Sequence, residues 1–221
     1  MTFARDFDCS VLDSSFAEEC LNIHNLFENC RRDDRFIKGG LFEHATAKQT
    51  KGTQYQDEHL SDVRVNGVNL SCKISQLLVG TKKDGSPNQG SANVPMNNIM
   101  GKGKAVDVFE VNSHNDLYVI CTVHHVQGET KKTVYLSVFD KGIEQFFKHK
   151  KDSRMVTFSF DATKCQTIVD KKRIDVSEFA LCHESYEFVD GGNTYSEETK
   201  RQLKQDIFDF YLGMCQPTVF A

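Results

Sequence analysis

The chain has 221 residues, of which 39% are hydrophobic and 26% charged, enough apolar material for one sizeable core and too little polar bias for a disordered segment. No apolar run reaches the length of a membrane span, and MTFARDFDCS at the N-terminus lacks the basic and then apolar pattern of a secretory leader, so a cytosolic protein is expected. The formal charge of −4 makes no global case for nucleic acid, which would have to be met by local basic patches, and the eight cysteines include no C-x-x-C pair, so they read as small core residues rather than a zinc site.

Ser15 with Glu18 three residues on has the form of a capping box, and Phe16, Cys20, Ile23, Phe27 and Cys30 follow at helical spacing. This predicts an amphipathic helix. After a charged break from Arg31 to Arg35, Gly39-Gly40 introduces LFEHATAKQ, where Leu41, Phe42 and Ala45 suit a helix packed on a sheet and Glu43 projects near its start. Thr50 to His59 has loop composition.

The next stretch, DVRVNGVNLSCKIS, places two alternating runs on either side of Asn66-Gly67, the dipeptide that most favours a two-residue hairpin turn. Such a turn pairs Val65 with Val68, Arg64 with Asn69, Val63 with Leu70 and Asp62 with Ser71. The period of two then puts Val63, Val65, Val68, Leu70, Cys72 and Ile74 on one face and Asp62, Arg64, Asn69, Ser71, Lys73 and Ser75 on the other. A solvated sheet face has the same appearance, so the hairpin alone does not define a site.

Residues 81–104 read as a long loop carrying Lys82, Lys83, Lys102 and Lys104; loops of this length in compact domains are usually functional or disordered. From Ala105 the pattern turns to strands, AVDVFEV, DLYVICTVHHV and KTVYLSVF, read as a meander continuing the sheet. GIEQFFKHKK suits a short helix ending in the basic cluster Lys148, Lys150, Lys151 and Arg154. MVTFSFD and TIVDKKRIDV supply further strands, with Lys171, Lys172 and Arg173 near a turn. His124 and His125 are adjacent in a strand and so point to opposite faces, which disfavours joint metal ligation. Thr194 and Glu197 cap a closing helix with the stripe Leu203, Ile207, Phe210 and Met214. Walker, dinucleotide and serine-hydrolase motifs are absent from the sequence.

A helix with Glu43 in GGLFEHA, then Asp62 on the first hairpin strand, then Ser71-Cys72-Lys73 on the second, resembles the PD-(D/E)XK nucleases, in particular type II restriction endonucleases. The resemblance covers residues 38–75, with serine where that family usually carries an acid. It implies an α/β (α+β) fold with a restriction-endonuclease-like mixed central sheet flanked by helices, formed as one nuclease domain over 1–221. It further implies a Mg²⁺-dependent, sequence-specific double-stranded DNA endonuclease, commonly a homodimer on a palindromic target.

Phosphodiester hydrolysis needs an activated water and stabilisation of charge on the phosphoryl and leaving oxygens. A hard Mg²⁺ ion prefers carboxylate, carbonyl and water oxygens. By the resemblance, Asp62 is the main metal ligand, the Cys72 carbonyl and Glu43 complete the protein's share, and Lys73 orients the attacking water. Ser71 brings no negative charge, and Asp57 and Glu58 are the nearby acids that could compensate. Lys82, Lys83, Lys102 and Lys104, with the clusters at 148–154 and 171–173, are the expected DNA contacts. A repair, nicking or phage DNA-processing nuclease would share this site, and a non-catalytic nucleic-acid-binding protein would carry the hairpin for stability alone.

Overall fold

The computed structural model describes residues 7–27, 34–55, 61–80, 82–84, 90–96, 100–102, 110–149, 156–189, 198, 201, 202 and 205, with backbone alone for 34–37, 100–102 and 110–112. The helices are α1 (Ser14–Leu26) and α2 (Asp34–Thr50). The strands are β1 (Thr53–Gln54), β2 (Val63–Val65), β3 (Val68–Val79), β4 (Ala92–Pro95), β5 (Met100–Lys102), β6 (Glu110–Asn112), β7 (Leu117–Val126), β8 (Lys131–Asp140), β9 (Lys148–His149), β10 (Val156–Asp161), β11 (Gln166–Val169), β12 (Lys172–Asp175) and β13 (Ala180–Val189).

Helix α1 forms where the spacing places it, but its cap is Asp13 and not Ser15. One carboxylate oxygen of Asp13 accepts from the amides of Ser15 and Phe16 at 2.9 and 3.0 Å and from the Ser15 hydroxyl at 2.7 Å, satisfying two of the helix's open donors at once. Phe16, Cys20, Ile23 and Phe27 are buried as the stripe requires, while Cys30 lies outside the described residues. Helix α2 begins before the two glycines expected to introduce it and runs through them. Its end is closed by Lys51 at φ 54° and by the Gly52 amide donating to the Ala47 carbonyl at 2.8 Å, the six-to-one bond of a left-handed helix stop. Gly52 is required there, because a Cβ would stand 2.7 Å from Val65 Cγ2 and 2.8 Å from the Arg64 carbonyl.

The fold is mixed α+β. A six-stranded sheet runs in the order β1-β2-β3-β7-β8-β13, with β3 and β7 parallel and every other neighbouring pair antiparallel. A second sheet has the order β12-β11-β10-β4 with β9 also on β10, and β5 pairs with β6. Even-numbered β3 residues as far as Ile74 and odd-numbered β7 residues face α1 and α2, where Leu70, Cys72, Val119 and Cys121 pack with Phe16 and Phe42. The opposite face packs on the second sheet through Leu77, Val79, Ile120 and Phe139 against Val94 and Phe158. Strand β7 is therefore buried on both faces, which is why LYVIC reads as a continuous apolar run.

This layering sorts β3 along its length. On the face turned from the helices, Leu77 and Val79 enter the apolar core, whereas Ser71, Lys73 and Ser75, earlier in the same strand, make a polar strip. KGIEQF forms a 3-10 turn, Lys141–Phe146, followed by β9 instead of a longer helix. Only isolated residues of the expected C-terminal helix are described, and its stripe lies outside them. Among the described residues no helix is long and apolar enough to cross a membrane.

Candidate active site

The hairpin forms with the turn that its sequence demands. Asn66 and Gly67 take φ of 49° and 87°, and the register is Val63 with Leu70, Arg64 with Asn69 and Val65 with Val68. The ladder ends there. At Asp62 the chain bends, its amide donates to the Leu70 carbonyl at 2.9 Å, and its carboxylate takes over the role that the next backbone carbonyl would have had. Asp62 Oδ2 accepts from the Cys72 amide at 2.7 Å, from Lys73 Nζ at 2.6 Å and from Ser71 Oγ at 3.3 Å. The expected opposition of Asp62 and Ser71 thus exists as a side-chain contact, not as a ladder pair.

The three donors differ in kind. A backbone N–H fixes the carboxylate in the plane of the sheet, a hydroxyl steadies it, and an ammonium matches its charge in a charge-assisted bond. The pair is enclosed: Asp62 and Lys73 expose 3% and 11% of their side chains. Ser71 is fully buried, and Cys72 points to the helix side, where burial first and then the charges of Asp62 and Glu43 push its thiol well above the usual range, with Lys73 acting in the opposite sense.

Glu43 lies on α2, which packs on the face of β3 opposite to Ser71 and Lys73. The Gln54 side-chain amide donates to Glu43 Oε2 at 3.5 Å and to the Gly40 carbonyl at 3.2 Å. Gln54 stands in β1 opposite Val63, the residue after Asp62, and the following Tyr55 amide donates to the Asp62 carbonyl at 3.0 Å. The short edge strand β1 thus joins the helix carrying Glu43 to the segment carrying Asp62. Sequence reasoning missed Gln54, because it sits in a polar stretch with no periodicity. Tyr118 was also missed: parallel pairing sets it beside Ser71, and its hydroxyl donates to Glu144 and meets Ser113 Oγ at 2.9 Å.

Among the described residues no group of three or more His, Cys, Asp and Glu side chains converges. The hydroxyl, backbone N–H and ammonium around Asp62 Oδ2 are all donors, so its carboxylate is the one group in this cluster of the hard anionic type that Mg²⁺ takes, and Mg²⁺ is commonly held by one or two carboxylates with the rest of its shell from water and substrate phosphate. Asp57 and Glu58, the acids that could compensate for Ser71, lie outside the described residues.

Of the expected DNA contacts, Lys82 and Lys83 are exposed, Lys102 ends β5, and Lys104 lies outside the described residues, as do Lys150, Lys151 and Arg154. Arg173 is tied to the buried Asp161, so this member of the basic cluster serves the second sheet. His124 and His125 do point to opposite sides: one ring meets Tyr135 at 6.3 Å between centroids, and the other makes a 2.9 Å bond with the Glu129 carbonyl. A cavity of about 270 Å³ at the hairpin tip is lined by residues such as Phe7, Val11, Thr50 and Asn66, away from Asp62.

The fold and this cluster together define a mixed α+β protein with an acid, a hydroxyl and a lysine gathered at a hairpin whose other face packs on a helix that bears a second acid. No protein-family model, curated protein or solved structure matches the chain.

Proposed function

We propose that this protein is a Mg²⁺-dependent, sequence-specific endonuclease of double-stranded DNA, of the type II restriction kind. The observation that carries the reading is the convergence of Ser71 Oγ, the Cys72 amide and Lys73 Nζ on one oxygen of Asp62. Each side chain has a task in that chemistry. Asp62 and Glu43 would hold the cation, with the Cys72 carbonyl as a neutral third ligand. Lys73, once turned from Asp62 toward substrate, orients the attacking water and balances charge on the phosphoryl oxygens. Ser71 keeps Asp62 oriented without adding charge. When bound, Mg²⁺ would supply Lewis-acid stabilisation of the developing negative charge. Lys82, Lys83, Lys102 and Lys104 contact phosphates, and the enzyme acts as a homodimer on a two-fold target.

The same hydrogen bonds support a second reading, in which Asp62 caps the open end of the β2–β3 ladder in a protein that binds nucleic acid without cutting it. Plasmid DNA incubated with Mg²⁺ and with wild type, Asp62→Asn or Lys73→Ala separates the two, with circular dichroism to show that each variant is folded. Discrete bands from wild type that disappear in both variants support the endonuclease. DNA left intact by wild type at every Mg²⁺ concentration overturns it.

A further inference from the structure

The large sheet ends in two unlike edges. On one side stands β1, two residues long; on the other stands β13, ten residues long, which pairs with β8 from Ala180 to Val189 and has no ladder partner on its outer edge among the described residues. A monomer protects so long an edge with proline, lysine or a bulge, because a row of open N–H and C=O groups is a template for another strand. Strand β13 lacks these devices along most of its length: ALCHESYEFV holds no proline, lysine or arginine, and its register shift falls at its start, between Ala180 and Cys182. Glu184, Ser185, Glu187 and Val189 are exposed, and Val189, at 71%, is with Leu78 one of two large apolar side chains so open among the described residues.

We propose that β13 pairs with β13 of a second copy of this chain, antiparallel about a two-fold axis at Ser185, so that the large sheets of two protomers run on as one. The strand's own sequence selects that occupant. A two-fold axis perpendicular to the sheet keeps every side chain on its face, so each residue stands opposite one of its own parity in the other copy, and the axis passes through a residue. An axis at Glu184 or at Glu187 sets two carboxylates face to face, which opposes pairing. An axis at Tyr186 sets Glu184 opposite Phe188. The axis at Ser185 sets Glu184 opposite Tyr186 and Glu187 opposite His183, so both acids meet side chains with hydrogen-bonding groups. It spans residues 182–188, all of them past the register shift. Glu187 also brings a cation of its own to the seam, Lys131 Nζ at 3.6 Å on the β8 side. This seam deepens the endonuclease reading by supplying the dimer which that reading includes, and it is tested without DNA.

The test measures the mass of the full chain by size-exclusion chromatography with multi-angle light scattering over a range of concentrations. Wild type is expected at twice the chain mass. A single-chain mass throughout overturns the proposal, whereas the cleavage reading fails on a separate result, DNA left intact. Ser185→Lys, made at an exposed side chain, sets two ammonium groups face to face at the axis; it is expected to raise the dimer dissociation constant by about tenfold or more with circular dichroism unchanged. A Ser185→Lys dimer of undiminished affinity overturns the proposal. The register is read with Ser185→Cys, which a short bis-maleimide is expected to link between chains through position 185, as mapped by tandem mass spectrometry. In Glu187→Cys the two introduced thiols are offset by about 13 Å along the strands, so the corresponding link is expected to be absent. A dimer that links through position 187, or that does not link through position 185, overturns the proposal as well.

Discussion

Asp62 and Lys73 stand 2.6 Å apart and nearly out of solvent, so each would be costly without the other. Asp62→Ala removes the acceptor of three donors at once and leaves the Lys73 ammonium enclosed; an unfolding free energy lower by on the order of 3 kcal/mol is expected in urea titrations. Lys73→Met should cost less, because the Ser71 hydroxyl and the Cys72 amide still hold the carboxylate. His24 offers a pH test remote from this site. It is fully buried, accepts from Lys38 Nζ at 2.8 Å, and is pushed down to about 2 by burial first and then by the charges of Lys38, Lys132 and His125. Below about pH 6.5 the unfolded chain takes up a proton here that the folded chain refuses, so stability present at neutral pH falls on acidification by up to about 1.4 kcal/mol per pH unit from this residue. Urea titrations of wild type and His24→Gln between neutral and mildly acidic pH should show the shallower slope in the variant; equal slopes would contradict the assignment. Asp62, Ser71 and Lys73 were legible in the sequence because the period of two placed them together. Gln54 was not, since its contacts come from a two-residue edge strand whose sequence carries no pattern.

At the scale of elements, the β2–β3 hairpin depends on two left-handed residues. A Cβ on Gly67 would meet nothing within 4 Å, so Gly67→Ala tests the backbone alone: at φ 87° it should cost about 1 to 2 kcal/mol in thermal unfolding. A neutral outcome would mean that the turn relaxes at no cost. Helix α1 was legible from its stripe and missed only in its cap, because a capping box and an aspartate two residues earlier compete for the same amides and the charged acceptor is stronger. Strand β13 went unread because none of its residues is fully buried, so its apolar alternation is broken by Glu184, Ser185 and Glu187. Strand β4 was hidden inside a Gly, Ser, Asn and Pro stretch whose composition signals loop.

Across the whole molecule, the α+β class followed from the order of helical and alternating segments, but the layer arrangement did not. The direction of β7 against β3 is set by the long connection between them, not by either strand's sequence. Nor does local pattern reveal that a second sheet covers the face opposite the helices. Net charge bears on DNA binding at this scale: with −4 overall, association has to rest on local lysines such as the exposed Lys82 and Lys83. Replacing both by alanine should weaken binding similarly on all sequences and flatten the dependence of log K on log salt by about one unit for each phosphate no longer neutralised, measured by fluorescence anisotropy. The nuclease account is tested most directly by incubating a DNA of known sequence with the full chain and Mg²⁺ and mapping every end produced. The account predicts that all ends fall at a fixed offset within one short sequence and that Asp62→Asn produces none; intact DNA, or an Asp62→Asn protein that cuts like wild type, would contradict it.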